Sequence, residues 1–406
     1  MKIKSIRQVK NLKGKKALMR VDFNVPLVSG RVGKSEDFRL VRTAPTIRYL
    51  IKKGAKVIIM AHLGRPDGKV NPEFSLKPVA KRLSQIIEQP VKLSPQIIGA
   101  QTDKLIGQMK NGEVLLLENV RFDAREELAD KNFARELAKL GDLYVNDGFA
   151  VSHRDQASVS TIQQFLPSYA GLLMEEEIKY LSRALENPRQ PLVVIIGGAK
   201  ISTKIKVIRN FAKLAKRILL GGALANTVLK VMGVSVGRSA IEPVMFPEVK
   251  KFKLTDNLIA VPVDGVMALK TDAKKGRIDA LADIKPNELI LDIGPDTVRL
   301  YENILKSAKM VMWNGPMGLI ENPTFAQGTK KLVKILADSK AETIVGGGET
   351  VQLIRKMKLE NKFSFISTGG GAMLEFLEGK KLPGLKKIIK RLPRSDDYSL
   401  PRNDEL

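Results

Sequence analysis

Two sets of residues in this 406-residue chain could do chemistry. The first is cationic. Arg39, Arg65, Arg121 and Arg154 each follow shortly after an apolar run, Arg39 after an intervening loop. A guanidinium grips phosphate or carboxylate through two parallel N–H donors, so several of them at equivalent places suggest an anion site. His62, Leu63 and Gly64 lead into Arg65, and the strand-like run KALMRVDF ends at Asp22 and Phe23, with Asn24 next. Asp22 and Asn24 read either as turn formers before Pro26 or as hydrogen-bonding groups for a hydroxylated substrate.

The second set is glycine. FSFISTGGGAMLEFLEG, Phe363 to Gly379, reads as a short buried strand turning through Gly369, Gly370 and Gly371 into a helix that stops at Gly379. Such a turn aims bare N–H groups and the positive end of a helix dipole at whatever lies above the sheet edge, which suits a phosphate. Taken singly it is as well explained by a turn needing positive φ. The pattern recurs in LVVIIGG (Leu192–Gly198), ILLGG (Ile218–Gly222), LILDIG (Leu289–Gly294), KMVMWNG (Lys309–Gly315) and TIVGGG (Thr343–Gly348). In an α/β sheet ligands bind beyond the carboxyl ends of the strands, so this repetition predicts an anion-holding edge.

These residues need strands that end at them. The first half predicts strands at Lys16–Phe23, Lys56–Ala61, Glu113–Leu117 and Leu143–Val145, with helices at Phe38–Lys53, Lys77–Glu88 and Lys131–Leu140. Glu175–Glu186 reads as a connecting helix and NPRQP, Asn187 to Pro191, as the break between halves. The second half alternates strand and helix. The pattern predicts two doubly wound, mostly parallel α/β domains. GRVGKS, Gly30 to Ser35, has two residues between its glycines where a Walker A loop needs four, and reads as a surface loop.

Composition narrows the class. Length alone favours two domains. No apolar run is long enough to span a membrane, and the basic start has no apolar stretch behind it, so neither membrane nor secretion is expected. The absence of cysteine rules out disulfides and suits a reducing cytoplasm. With His62 and His153 the only histidines, a histidine metal site or triad is not expected. The formal charge of +26 would attract polyanions, and nucleic acid is a possible non-specific partner. Aromatics are only 5 %, however, and no nucleic-acid-binding motif appears, so a lysine-rich solvated surface that steers small anions is preferred.

Taken in order, RVDFNVP (Arg20–Pro26), HLGRP (His62–Pro66), LLENVRF (Leu116–Phe122), GGAKIS with Lys204, DIGP (Asp292–Pro295), WNGPMG (Trp313–Gly318), GGGET (Gly346–Thr350) and STGGGA (Ser367–Ala372) resemble the phosphoglycerate kinases over nearly the whole chain. The resemblance implies two Rossmann-like domains facing a hinged cleft, with residues 1–172 holding 3-phosphoglycerate or 1,3-bisphosphoglycerate and 191–385 holding ADP or ATP with Mg²⁺. Residues 173–190 would link them, and 386–406 could complete the first. It implies reversible phosphoryl transfer between the acyl phosphate and ADP by a cytoplasmic monomer. By the resemblance Asp22, Phe23, Asn24, Arg39, His62, Leu63, Gly64, Arg65, Arg121 and Arg154 would bind phosphoglycerate. Gly198, Ala199, Lys204, Gly222, Gly294, Asn314, Pro316, Glu321, Gly347, Gly348, Glu349 and Thr350 would bind the nucleotide. Arg39, Lys200, Lys204, Gly347 and Gly370 would face the group in transfer, and Glu349 the metal. Glu349 replaces the family's aspartate and reaches one methylene further, which leaves open a nucleotide binder with impaired turnover. Gln156 stands where the family has a second histidine. Ala223 replaces a glycine, and Asn226 stands where an aromatic is common.

Overall fold

In the computed structural model the described residues are 3–252 and 257–389. They divide into two compact units: the chain up to Lys179 and again from Gly379, and Tyr180–Glu378.

The first unit holds β1 (Lys16–Arg20), β2 (Lys56–Met60), β3 (Val91–Leu93), β4 (Val114–Leu116), β5 (Leu143–Asn146) and β6 (Ser168–Ala170). They form one sheet in the order β3-β4-β2-β1-β5-β6, with every pairing parallel. A parallel sheet needs crossover connections that cover both faces, which is why its strands read as unbroken apolar runs. Alternate residues serve opposite cores. Ala17, Met19, Val57 and Ile59 pack with Leu40 and Ile47 of α1 (Phe38–Lys52) and Leu83 of α2 (Lys77–Ile87). Leu18, Ile58, Met60 and Tyr144 pack with Ile106 of α3 (Ala100–Gly107) and Phe133 and Leu137 of α4 (Lys131–Ala138). Asp130 starts α4 by accepting from the Phe133 amide at 2.7 Å.

α5 (Leu172–Glu186) runs through the unit boundary. That boundary falls inside the helix, not at the proline-punctuated stretch 187–191. The last turns of α5 belong to the second unit because Tyr180 stacks on Phe365, with ring centroids 4.5 Å apart, and Arg183 pairs with Glu342 at 2.7 Å. The chain also returns to the first unit earlier than residue 386. Asn146 Nδ2 and Gln163 Nε2 each donate to the Gly384 carbonyl at 2.9 Å, and the Lys4 amide donates to the Ile388 carbonyl at 2.8 Å. Residues 379–385, expected with the second half, therefore pack with the first. Of the expected terminal segment 386–406, residues 386–389 lie here as well, and 390–406 fall outside the described residues.

The second unit contains β7 (Leu192–Ile196), β8 (Arg217–Leu220), β9 (Ile259–Ala260), β10 (Asp264–Ala268), β11 (Arg277–Ala280), β12 (Leu289–Ile293), β13 (Met310–Asn314), β14 (Glu342–Gly346) and β15 (Phe365–Ile366). Six of them form a parallel sheet ordered β15-β14-β13-β7-β8-β9. The connections carry α6 (Ile205–Ala212), α7 (Ala223–Val231), α8 (Phe246–Lys250), α9 (Pro295–Leu305), α10 (Gln327–Ala337) and α11 (Gly348–Lys356), and α12 (Gly371–Leu377) follows the last strand. Five of the six glycine-ended runs lie in this sheet. The sixth, β12, instead pairs antiparallel with β10 in a separate sheet ordered β11-β10-β12. Leu289, Ile290 and Leu291 are only half-buried, as suits an antiparallel sheet that is not covered on both faces.

Asp147, just past β5, holds the first turn of α5. Its Oδ1 accepts from the Met174 amide at 3.1 Å. Burial pushes its carboxyl up to about 7, against the hydrogen bonds from Thr46, Met174 and Leu173 that favour ionisation. The folded state thus holds this proton more tightly than the unfolded chain, so the contribution is complete below pH 4 and is lost as pH rises through about 7. Asp147→Asn should remove that loss: the urea midpoint of the variant relative to the parent should climb between pH 4 and 7.5.

Candidate active site

In the first unit, the loops after β1, β2, β4 and β5 converge beyond the carboxyl ends of their strands. Asn24 ties two of them, its Oδ1 accepting from the Gly64 amide at 2.9 Å. Asn119 ties the third by donating to the Leu63 carbonyl at 2.8 Å. Gly64 has φ +62°, and a Cβ there would lie 2.3 Å from the Phe74 ring, so the loop closes only with glycine.

His62 is buried at the centre of this convergence. Burial is the first cause holding its imidazole well below the ordinary histidine range, followed by the positive charges of Arg20, Arg121, Arg154 and Arg39. The ring is therefore neutral at neutral pH. Its Nδ1 lies 3.4 Å from Arg20 Nη2, a group that can only donate, which leaves Nε2 as the protonated nitrogen. The arginines are aimed by acceptors. Arg39 Nη1 pairs with Asp22 at 2.9 Å and donates to the Asn24 carbonyl at 2.7 Å. Arg121 pairs with Glu127 at 2.8 Å and donates to the Gly64 carbonyl at 2.8 Å.

The structure therefore groups Asp22, Asn24, Arg39, His62, Gly64, Arg121 and Arg154. Arg65 is exposed on the same loop. Phe23 and Leu63, expected at the ligand, have their side chains in the core beneath the sheet edge, because they point to its packed face. Only their backbone can serve a ligand.

Arg20 was not expected in a role. It is the last residue of β1 and has no exposed surface. Its Nε donates to Ser158 Oγ at 2.8 Å, another nitrogen reaches the Val21 carbonyl, and Nη2 lies 3.9 Å from Glu126. Glu126 is itself fully buried and accepts from the Ser158 hydroxyl at 2.6 Å and the Ser158 amide at 2.8 Å. Burial pushes its carboxyl above the ordinary range, opposed by Arg20 and Ser158. The available signal was an arginine inside the otherwise apolar run KALMRV.

In the second unit β7 lies between β8 and β13, so successive connections leave in opposite directions and a crevice opens beyond the strands. The loops there lock backbone to backbone. Gly197 donates to the Asn314 carbonyl at 3.0 Å, Gly198 to Pro316 at 2.8 Å and Gly222 to Met317 at 2.8 Å. A Cβ on Gly222 would come within 2.7 Å of the Gly198 nitrogen. Beside these contacts lies a cavity of about 280 Å³. Of the expected nucleotide residues it brings together Gly198, Ala199, Gly222, Pro316, Glu321 and Glu349, and its opposite wall is the largely apolar β12. Ala223 and Asn226 line it too.

Lys204 caps α6 from a buried position, its ammonium donating to the Gly197 carbonyl and, at 3.4 Å, to that of Asn314. Burial lowers its pKa to about 8, against the opposing charge of Glu349. Gly347 sits beside Asn314, whose Nδ2 would be 3.5 Å from a Cβ at that position. Lys200 is exposed. Thr350 is wholly buried within α11, and its hydroxyl meets no partner among the described residues. Gly294 departs from expectation. A Cβ there would lie 2.1 Å from Asp264 Oδ2, so its smallness serves the carboxylate that caps α9.

Gly348, Gly370 and Gly371 are the opposite case. A Cβ on any of them would meet nothing within 4 Å. Bare amides opening helices into empty space make a cradle for a large anion. Among the described residues no group of three or more His, Cys, Asp or Glu could cage a metal. The lone carboxylate of Glu349 fits a hard cation carried on phosphate oxygens, which is how Mg²⁺ usually binds.

Guanidinium groups around a neutral imidazole in one parallel α/β unit, and a glycine-framed cavity at the switch point of another, define a phosphoryl-transfer enzyme. Within that class the chain belongs to the phosphoglycerate kinase family, whose model matches residues 6–380. It is 43 % identical over 395 residues to the phosphoglycerate kinase of Borreliella burgdorferi, covering 96 % of this chain and 100 % of that protein. The solved structure of phosphoglycerate kinase from Coxiella burnetii is 38 % identical and superimposes with a TM-score of 0.83, covering 95 % and 98 % of the two chains. That of Pyrococcus horikoshii is 33 % identical with the same TM-score and coverage.

Arg20 and Glu126 are a pair that cannot be halved. Glu126→Ala should cost ~3–5 kcal/mol in urea unfolding, since it strands a buried guanidinium. Glu127→Ala, which removes a half-exposed partner of Arg121, should cost about 1 kcal/mol or less.

Proposed function

We propose that the first unit binds the phosphoglycerate and the second the adenine nucleotide, in the family's reversible transfer of a phosphoryl group between 1,3-bisphosphoglycerate and ADP. The carrying observation is the neutral His62 inside its ring of arginines. A compact cationic surface with one uncharged donor suits a small, hydroxylated carboxylate bearing phosphate. Arg121, Arg154 and His62 Nε2 would hold the phosphate end, and Arg65 would close on it from solvent. Asp22 and Asn24 would take the hydroxyl. Arg39 would swing from Asp22 toward the carboxyl end, where negative charge builds during transfer.

In the second unit the apolar wall of the cavity suits a purine and Glu321 a ribose. Gly198, Ala199, Gly222 and Pro316 would frame the nucleotide. Lys204 and Lys200 would neutralise the chain of phosphates. The amides at Gly347, Gly348 and Gly370 would receive the phosphoryl oxygens, with Asn314 and Thr350 shaping the floor. Mg²⁺, held through Glu349 and the nucleotide, would withdraw charge from the phosphates. Little covalent chemistry is asked of any side chain, since phosphoryl transfer is limited by alignment and charge.

Arg39→Ala should lower kcat/KM for ATP formation in a coupled assay by on the order of 100-fold while the melting temperature barely moves. An unchanged rate removes Arg39 from the reaction. Lys204→Met should all but abolish turnover yet raise stability at pH 7. The buried ammonium is held below its ordinary 10.5, so the parent gains stability as pH rises from about 8 to 10.5, and the variant should not.

A further inference from the structure

The first unit also has a basic cavity, of about 330 Å³, that the proposed reaction does not use. Lys131, the first residue of α4, lies on one side and Lys386 and Lys387 on another. All three side chains are exposed, and none forms an ion pair among the described residues. The arrangement is built by the returning chain. Gln163 is buried, its Nε2 donates to the Gly384 carbonyl at 2.9 Å and its Oε1 accepts from the Lys387 amide at 3.2 Å. This fixes the backbone under two of the lysines. Asp155 is the one carboxylate in the wall, and it accepts a hydrogen bond from the Ser160 hydroxyl. Gln164 completes the polar lining.

Three lysines against one carboxylate leave a surplus of two positive charges in a concave, hydrogen-bonding space. We propose that this cavity binds a small phosphate monoester that carries hydroxyl groups. The lysines take the phosphate dianion, as point charges do. Asp155, which would repel a bare anion, accepts from the ligand's hydroxyl in place of Ser160. A site of lysines alone would favour any anion, and the carboxylate is what selects a hydroxylated one. Asp155 directly follows Arg154, so the cavity shares a loop with the arginines around His62.

The test is a site-resolved NMR titration of the full-length protein, with sn-glycerol 3-phosphate and, separately, inorganic phosphate. Saturable shifts are expected at the amides of 160–164 and 386–387, with glycerol phosphate at least threefold tighter. Lys386→Ala/Lys387→Ala should weaken these shifts at least tenfold and leave those around His62 and Gly64 in place. Lys131→Ala, at an exposed helix start, should weaken them without touching the returning segment. Asp155→Asn should erase the preference for glycerol phosphate. Absence of saturable shifts at 160–164, or equal weakening by the second-unit pair Lys330→Ala/Lys334→Ala, overturns the proposal.

Discussion

A guanidinium with no exposed surface keeps its charge, because arginine does not give up its proton inside a protein. Arg20 therefore dictates much of the first unit. Glu126 has to be buried opposite it, Ser158 has to bridge the two, and the carbonyl of Val21 has to face inward. His62, buried first of all and then lying against the same charge and three more arginines, stays neutral at neutral pH. The site thus offers donors without adding a further cation. This is a way to hold a multiply charged ligand firmly without making the empty site self-repelling. Asp22 and Glu127 serve the same end by pairing with Arg39 and Arg121.

The second unit solves a related problem with backbone instead of side chains. Where β7, β8 and β13 end, three loops approach so closely that their amides and carbonyls bond across. Only glycine permits this approach at Gly222. A frame of fixed peptide dipoles has no rotamers to lose when a ligand arrives, so its electrostatics are organised in advance. Lys204 is the costly part of the frame, since its ammonium is withdrawn from water to reach carbonyls rather than carboxylates. Stability is given up there to hold a charge among the glycine loops.

Much of this was legible in the residues. Runs such as VIIM and LVVII announce strands buried on both faces, and the polar or glycine residues after them announce the edge. What could not be read was pairing. LILDIG looks like its neighbours, yet β12 joins β10 instead of the parallel sheet, because a run of apolar residues specifies a strand and not its partner. Nor could direction be read. Lys200 and Lys204 are the same residue type four positions apart, and one is exposed while the other is buried as a cap. Gly294 and Gly222 follow strands alike, but the first makes room for Asp264 and the second for another loop. Arg20 was visible only as an oddity in a strand, since its meaning depends on Glu126 and Ser158, far away along the chain.

The closing of the first unit by residues near the end of the chain bears on biosynthesis. Ile3 bridges to Ile389, and Gly384 is held by Asn146 and Gln163. The whole of Tyr180–Glu378 leaves the ribosome before those partners exist. A nascent first unit must therefore wait, part-finished and without the Gly384 carbonyl to which Asn146 and Gln163 donate, while the intervening unit is free to fold to completion. The usual order of domain maturation, from the amino end onward, is reversed at its last step.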